Sequence, residues 1–454
     1  TDNNSYSHNY GVESYLARIN YGFKSRYYID ASWRTDGSSR FHPSDRWGHF
    51  WSVGASWRIS EEQFMENTRQ WLDNLTLKVS YGVQGNDNLG TYYAWQGLYD
   101  YTWPNATDAG AFVDKLENRK VTWEKNGNLN AGIEATMFGG RLGVSVEYYN
   151  RKTRDMLLNS PLPISTGFTG FNDNVGSLRN QGLEVSLRGT ILDKRDFRWD
   201  ATLMGSFNRN KVLSLTGGQD VITSGIRVIE VGRPIYTFYL PKTAGVDPAT
   251  GKQLYYAYWT QTVNDEGTLV NTRCDEYITD NVAMATLSKY YHESREPKLF
   301  GSIGSTFTIL KNIDVSFLTT YSIGGWVYDG LYNGSMYVQY AGNNWHKNAK
   351  RRWQKPGDKT DVPMLEVGGS YATASNSLID ASYFAIKNIT VGYTLPKRWL
   401  KKIDIESLRI YATLDNIAMF NHMDGMDPQY NFTGSVAYSY TPSRVIAFGI
   451  DLNF

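Results

Sequence analysis

Apolar and polar residues alternate with a period of two along most of this chain, and no other feature limits its fold so tightly. Tyr15, Ala17, Ile19, Tyr21 and Phe23 fall on one side of the first run, with Arg18 and Asn20 on the other. After Lys24-Ser25, Tyr27, Ile29, Ala31 and Trp33 alternate with Tyr28, Asp30, Ser32 and Arg34. The runs from Trp51 to Ile59 and from Leu75 to Val83 repeat the pattern. Further runs near 128–137, 141–153, 179–192, 198–209, 298–309, 313–323, 383–395, 405–414 and 443–454 bring the count of predicted strands to about thirteen.

The links between runs are unequal in a regular way. Short ones (Lys24-Ser25, Gly139-Gly140, Asp193 to Asp196, Leu310-Lys311-Asn312, Pro396 to Asp404) alternate with mostly long ones at 84–127, 154–178, 210–297, 324–382 and 415–442. Short turns on one rim and long loops on the other is the build of a transmembrane antiparallel β-barrel, with the short turns periplasmic and the long loops extracellular. One link on the short-turn side is longer. Residues 60–74 carry Ser60 as a helix N-cap with Glu61-Glu62 in the first turn, which predicts a short surface helix and reads the two carboxylates as complements to its dipole.

Composition separates this fold from its competitors. The chain holds 33 Tyr and 14 Trp, yet its mean hydropathy is -0.46 and no stretch approaches the run of about eighteen apolar residues that a membrane helix needs. A soluble sandwich or propeller also alternates. It seldom places large aromatics near both ends of the apolar face, as Tyr27 with Trp33 and Trp51 with Trp57 do, and long loops confined to one rim are uncommon in a compact soluble domain.

Lys and Arg total 46 against 45 Asp and Glu, so no field draws nucleic acid. Cys274 has no second cysteine to pair with, and His8, His42 and His49 show no metal-ligand spacing. No convergent set of titratable groups marks a catalytic centre, so neither an enzyme nor a cofactor is expected.

Several segments resemble the SusC/RagA family of TonB-linked outer-membrane transporters of Bacteroidetes. They are Arg34 to Phe41, Arg46-Trp47-Gly48, Ser56 to Ile59, Ser80-Tyr81-Gly82 with Gly85-Asn86, Thr122 to Lys125, Tyr148 to Thr153 through Asp155-Met156-Leu157, and Pro161-Leu162-Pro163 with Gly167-Phe168. Asn180 to Glu184, Gly232-Arg233-Pro234, Ala381 to Phe384 with Lys387-Asn388-Ile389, Asp415-Asn416 and Asp427-Pro428 follow in order. Phe454 matches the aromatic C-terminus usual in such barrels. Each block also reads as turn and strand-end consensus.

The resemblance implies roughly thirteen strands of a barrel of about 22, with the plug domain and first strands outside this sequence. An odd strand set leaves edges open in lipid, so the chain is expected to be the C-terminal portion of a longer protein. It also implies a SusD-like surface lipoprotein as lid, TonB as energy source through the plug, and a bulky ligand. Trp95, Tyr99, Tyr101 and Trp103 in one loop, and Trp326, Tyr328, Tyr332, Tyr337, Tyr340 and Trp345 in another, are the candidate ligand or lid contacts. Aromatic faces of this kind stack on sugar rings, pack peptide side chains, seat a protein lid or simply pack the loop that carries them, and the sequence weighs ligand contact, lid contact and loop packing equally. Oligosaccharide is the expected ligand, with oligopeptide or a passive porin as alternatives.

Overall fold

A computed structural model describes residues 7–101, 108, 110–215, 220–336, 342, 344–366, 369, 371–400, 405–423, 425–429, 433–436 and 440–454. It contains two compact units, and both are antiparallel up-and-down ladders with folded loops. The fold is all-β, of the transmembrane-barrel type.

The first unit comprises residues 1–191, 200–222 and 230–233. Its ladder strands are β1 (Val12–Phe23), β2 (Tyr27–Ser38), β3 (Trp47–Arg58), β4 (Leu72–Asn86), β5 (Glu124–Met137), β6 (Leu142–Arg154), β7 (Ser177–Lys194) and β8 (Phe197–Ser214). Each of β1 to β7 pairs with the next in sequence. Two consecutive left-handed residues, Lys24 and Ser25, close the β1–β2 turn, with φ of 52° and 56°. That backbone twist matches the twist of the strands it joins.

Register sets the two faces. Ile19 pairs with Ala31, Ala31 with Val53 and Val53 with Tyr81, which lays one apolar band across four strands. The band is solvent-accessible rather than buried: Ile19 is 73% exposed and Val53 47%. On the opposite face Ser32 Oγ meets Ser52 Oγ at 2.7 Å and Lys78 bridges Glu134 at 2.6 Å. An accessible apolar face backed by a hydrogen-bonded polar one is the reverse of a soluble sheet and suits lipid outside and water inside.

The link over 60–74 differs from the expected helix. Two 3-10 turns, Ile59–Glu61 and Gln63–Thr68, fill it, and Leu72 already begins β4. Ser60 is buried and its hydroxyl caps nothing, because Arg58 occupies the position before the turn. Glu62 does something else. Its carboxylate accepts hydrogen bonds from the Tyr27 hydroxyl and from Trp57 Nε1 (3.2 Å), and pairs with Arg26 at 3.2 Å. The Phe23, Tyr27 and Trp57 rings stack in sequence, each pair of centroids 6.5 Å apart. Glu62 therefore anchors the polar tips of an aromatic belt at the short-turn end, and those hydrogen bonds, Tyr27's first, hold its pKa below the ordinary carboxylate value.

The second unit comprises residues 192–199, 223–229 and 234–454. Its ladder strands are β9 (Leu299–Ile309), β10 (Ile313–Ile323), β11 (Tyr383–Thr394), β12 (Ser407–Asn421) and β13 (Val445–Asn453). Arg409 on β12 grips Asp314 on β10 through Nε (3.0 Å) and Nη2 (2.7 Å), and reaches Asp451 on β13 with Nη1 (3.1 Å). The bridge passes over Gly392 on β11, where a Cβ would stand 2.5 Å from Asp314 Oδ1 and 2.6 Å from Arg409 Nη2. A side chain there would have to displace those charged tips.

Thirteen ladder strands among the described residues, eight in one unit and five in the other, match the predicted number. Several overrun their predicted ends: β4 reaches Asn86, β5 starts at Glu124, β8 reaches Ser214 and β12 reaches Asn421. Pairing continues there between polar residues, such as Asn86 with Glu124, where the alternation that marks a strand in sequence has faded.

Candidate functional site

The long links are folded modules. In the first unit, a hairpin of Leu98–Asp100 and Phe112–Lys115 rises from link 84–127, and another of Leu157–Pro161 and Gly170–Asn174 from 154–178. Beneath them lies a core of Phe41, Phe50, Ala94, Val121 and Trp123. Phe41 and Phe50 pack against Trp123 with centroids 5.5 and 5.3 Å away. The Phe50 ring occupies space that only glycine leaves at Gly48 and Gly85, where a Cβ would sit 2.4 and 2.1 Å from its Cζ.

A polar clamp flanks that core. Asp87 accepts hydrogen bonds from Ser38 Oγ (2.6 Å) and the Tyr10 hydroxyl (2.9 Å), and pairs with Arg40 at 3.4 Å. The Arg40 guanidinium lies against the rings of Tyr10 and Tyr92, at 4.6 and 5.2 Å. The segments Arg34 to Phe41, Arg46 to Gly48, Gly85-Asn86 and Thr122 to Lys125, distant in sequence, thus meet at one strand-end core that seats the loops. Asp87, Phe50 and Tyr92 complete it, and no sequence signal singled them out.

The predicted aromatic contacts divide by environment. Tyr99 and Tyr101 are exposed, at 59% and 68%, on or beside the first hairpin, near exposed Phe112 and Val113. Trp95 packs into the core below and meets His42 edge-on at 5.0 Å. Trp103 lies outside the described residues, as do Tyr337 and Tyr340.

In the second unit, link 210–297 builds strands Thr237–Val246, Gln253–Val263, Leu269–Thr279 and Lys289–Ser294, with a helix at Val282–Leu287. Tyr328, only 6% exposed, joins Phe238, Leu240 and Leu378 in a core on which Trp326 also packs. Tyr332 and Trp345 pack on a second core of Met336, Ala349 and Val362, and Tyr332 meets His346 edge-on at 4.9 Å. Of the candidates here, those described are therefore half-buried or buried, inside the modules. Tyr255 is buried too, its hydroxyl accepting a hydrogen bond from the backbone of Ala372 at 3.1 Å, and burial pushes its pKa up to about 12. The arrangement offers accessible aromatic faces on the first hairpin, a polar strand face and loop modules with packed cores.

Comparison with known proteins agrees with this architecture. Residues 1–417 match the family model described as TonB dependent receptor-like, beta-barrel. TonB-dependent receptor P26 of Formosa agariphila is 29% identical across 98% of this chain and 46% of its own length. TonB-dependent receptor SusC of Bacteroides thetaiotaomicron is 28% identical across 97% of this chain and 43% of its own. A solved structure of the RagAB peptide transporter superposes with a TM-score of 0.84 at 30% identity, covering 98% of this chain and 48% of that one. The chain spans just under half the length of the relatives it matches. It belongs to the TonB-dependent receptor family, as a SusC/RagA-like portion of an outer-membrane β-barrel.

Proposed function

We propose that this chain forms barrel wall and extracellular loops of an importer for bulky nutrients, driven through TonB and capped by a SusD-like surface lipoprotein. The observation that carries the reading is the asymmetry of the connections. One set is reduced to tight turns such as Lys24-Ser25 and Leu310-Lys311, and the other is elaborated into modules with cores of their own. Rigid platforms raised on a polar-lined wall suit capture of a large polar solute and seating of a lid. Links 84–127, 154–178, 210–297, 324–382 and 415–442 supply that outer surface.

For the ligand, oligosaccharide is the first choice, because Tyr99 and Tyr101 present accessible rings beside Asp100, a pairing of stacking face and hydroxyl acceptor. Oligopeptide is the second. The RagAB relative is a peptide transporter, and the burial of Tyr328 and the packing of Trp326, Tyr332 and Trp345 leave fewer faces for sugar. A deletion strain grown on defined glycans and peptides separates the two. Complementation with Tyr99→Ala/Tyr101→Ala is expected to lower glycan uptake roughly tenfold, the equivalent of about 1.4 kcal/mol. Normal growth of the deletion strain on every glycan with loss on peptides selects the second reading, and undiminished uptake without a working TonB complex sinks both in favour of a passive pore.

A further inference from the structure

One segment that carried the resemblance, Tyr148 to Thr153, has so far served only as ladder. Register fixes which of its residues share the accessible face of the first unit. The row that holds Val53 and Tyr81 continues through Leu129 on β5, Asn150 on β6 and Gln181 on β7. A Cβ on Gly127 would stand 3.0 Å from the Tyr81 hydroxyl, which confirms the shared side. Two residues nearer the long links, the same face carries Gly127, Lys152 and Arg179, each opposite the next, and two further on it carries Lys125, Arg154 and Ser177. Strand β8 adds to them. Asn208 accepts from the Tyr149 hydroxyl and Asn210 donates to Asn180 Oδ1, both at 2.8 Å and both on the polar face. Alternation leaves Phe207, Arg209 and Lys211 on the accessible one, with Lys211 next to Arg179.

Cations thus crowd one end of this face, in rows that contain no carboxylate. Among the described residues, Lys152, Arg154, Arg179, Arg209 and Lys211 make no side-chain hydrogen bond or ion pair, and Lys125 has only Asp155, at 3.8 Å. Lys152 and Arg179 are half-buried and directly paired across β6 and β7. Like charges so placed destabilise a sheet unless an anion lies between them. Arg151, the neighbour of Lys152 on the polar face, shows the contrast: its Nε donates to Asn128 Oδ1 at 2.7 Å.

Their level chooses the occupant. Lys152 stands four residues, about 13 Å along the strand, beyond Tyr148, and on the short-turn side of it Tyr148, Leu183, Ile133 and Phe207 are exposed on the same face. Tyrosines at the edge of an apolar band mark the depth at which hydrocarbon gives way to headgroups. The cations lie just past that edge, at the rim of the long links, which is the extracellular one. A soluble partner would have to reach into the bilayer edge to meet them, whereas a phosphate carried by a lipid is already at this depth. Arg and Lys side chains on adjacent strands match its oxygens. We propose that the extracellular end of β5 to β8 docks a phosphate-bearing lipid of the outer leaflet, its phosphate held by Lys152, Arg179 and Lys211 and its acyl chains lying along Tyr148, Leu183 and Phe207.

The test uses the full-length transporter in neutral maltoside detergent, titrated by native mass spectrometry with bisphosphorylated lipid A, with the same lipid after enzymatic removal of its phosphates, and with inorganic phosphate as competitor. Preferential binding of the phosphorylated lipid is expected, weakened roughly tenfold or more in Lys152→Gln/Arg179→Gln and unchanged in Arg151→Gln on the opposite face. Thermal unfolding checks that the variants are folded, and the two single substitutions replace the pair if it is not. Equal binding by wild type and Lys152→Gln/Arg179→Gln overturns the proposal. So does equal affinity for the dephosphorylated lipid, which makes the face merely apolar, an equal loss in Arg151→Gln, which moves the phosphate to the polar face, or full competition by equimolar inorganic phosphate, which makes it a small-anion site.

Discussion

The ladder and the loop modules use the same residue types and bury them in opposite directions. On β1 and β3, Ile19 and Val53 stand on an accessible face. In the modules of the second unit, Phe238 and Val327 are wholly buried and Tyr328 nearly so. The difference lies in what plays the part of the apolar phase. Ladder side chains need only lipid beside them, so one row of alternating residues is enough. The modules stand in water and must build an interior, which takes side chains from several distant segments at once.

The largest expected effect sets these regions against each other. Phe238→Ala, which empties a fully buried site, is expected to destabilise its module by about 3–5 kcal/mol, read as faster limited proteolysis within 234–297 and 324–382 while the ladder strands stay protected. Loss of ladder protection at the same rate would mean that the module and its ladder unfold as one.

Next comes a charge on the lipid face. Val53→Arg, between Trp51 and Trp57, is expected to cost about 2–4 kcal/mol in folding into vesicles if it lies near the bilayer midplane. The same charge at Asn130, on the polar face, should stay within about 0.5 kcal/mol. Equal costs would deny the assignment of the faces.

A smaller effect belongs to the ion pairs of the second ladder. Gly392→Ala pushes a methyl between Arg409 and Asp314 and is expected to cost about 1–3 kcal/mol by overpacking. In Gly392→Ala combined with Asp314→Ala the added penalty should largely vanish, as a double-mutant cycle would show.

The smallest concerns the belt at Glu62. Its pKa is depressed in the fold, so its contribution is present above the ordinary carboxylate pKa and fades as pH falls through the lowered value. Trp57 fluorescence is expected to shift on acidification in the wild type, with Glu62→Gln lacking that transition. An identical transition in both would assign it to another group.

Much of the ladder was legible because alternation is a local signal, repeated in each strand facing the same two phases. The register of β1 to β4 needs little beyond it. The link at 60–74 misled, because Ser60 and the two glutamates satisfy a helix-cap pattern while the structure uses Glu62 to tie down Tyr27 and Trp57. That role depends on strands on either side of the link, which a local pattern does not contain. Among the aromatic candidates, Tyr99 and Tyr328 look alike in sequence, yet one is exposed on a hairpin and the other sealed under Phe238 and Leu378.

By itself the sequence determined the strand ladder, the placement of tight turns and long links, and the family, because each is written in short-range pattern or in ordered blocks. Only the tertiary structure decided which loop aromatics are accessible, and why the Phe50 ring leaves no room for a side chain at Gly48 and Gly85. Those outcomes depend on packing between residues tens to hundreds of positions apart, such as Tyr255 against Ala372. Steric exclusion and burial act on neighbours in space, and a periodicity of two does not name them.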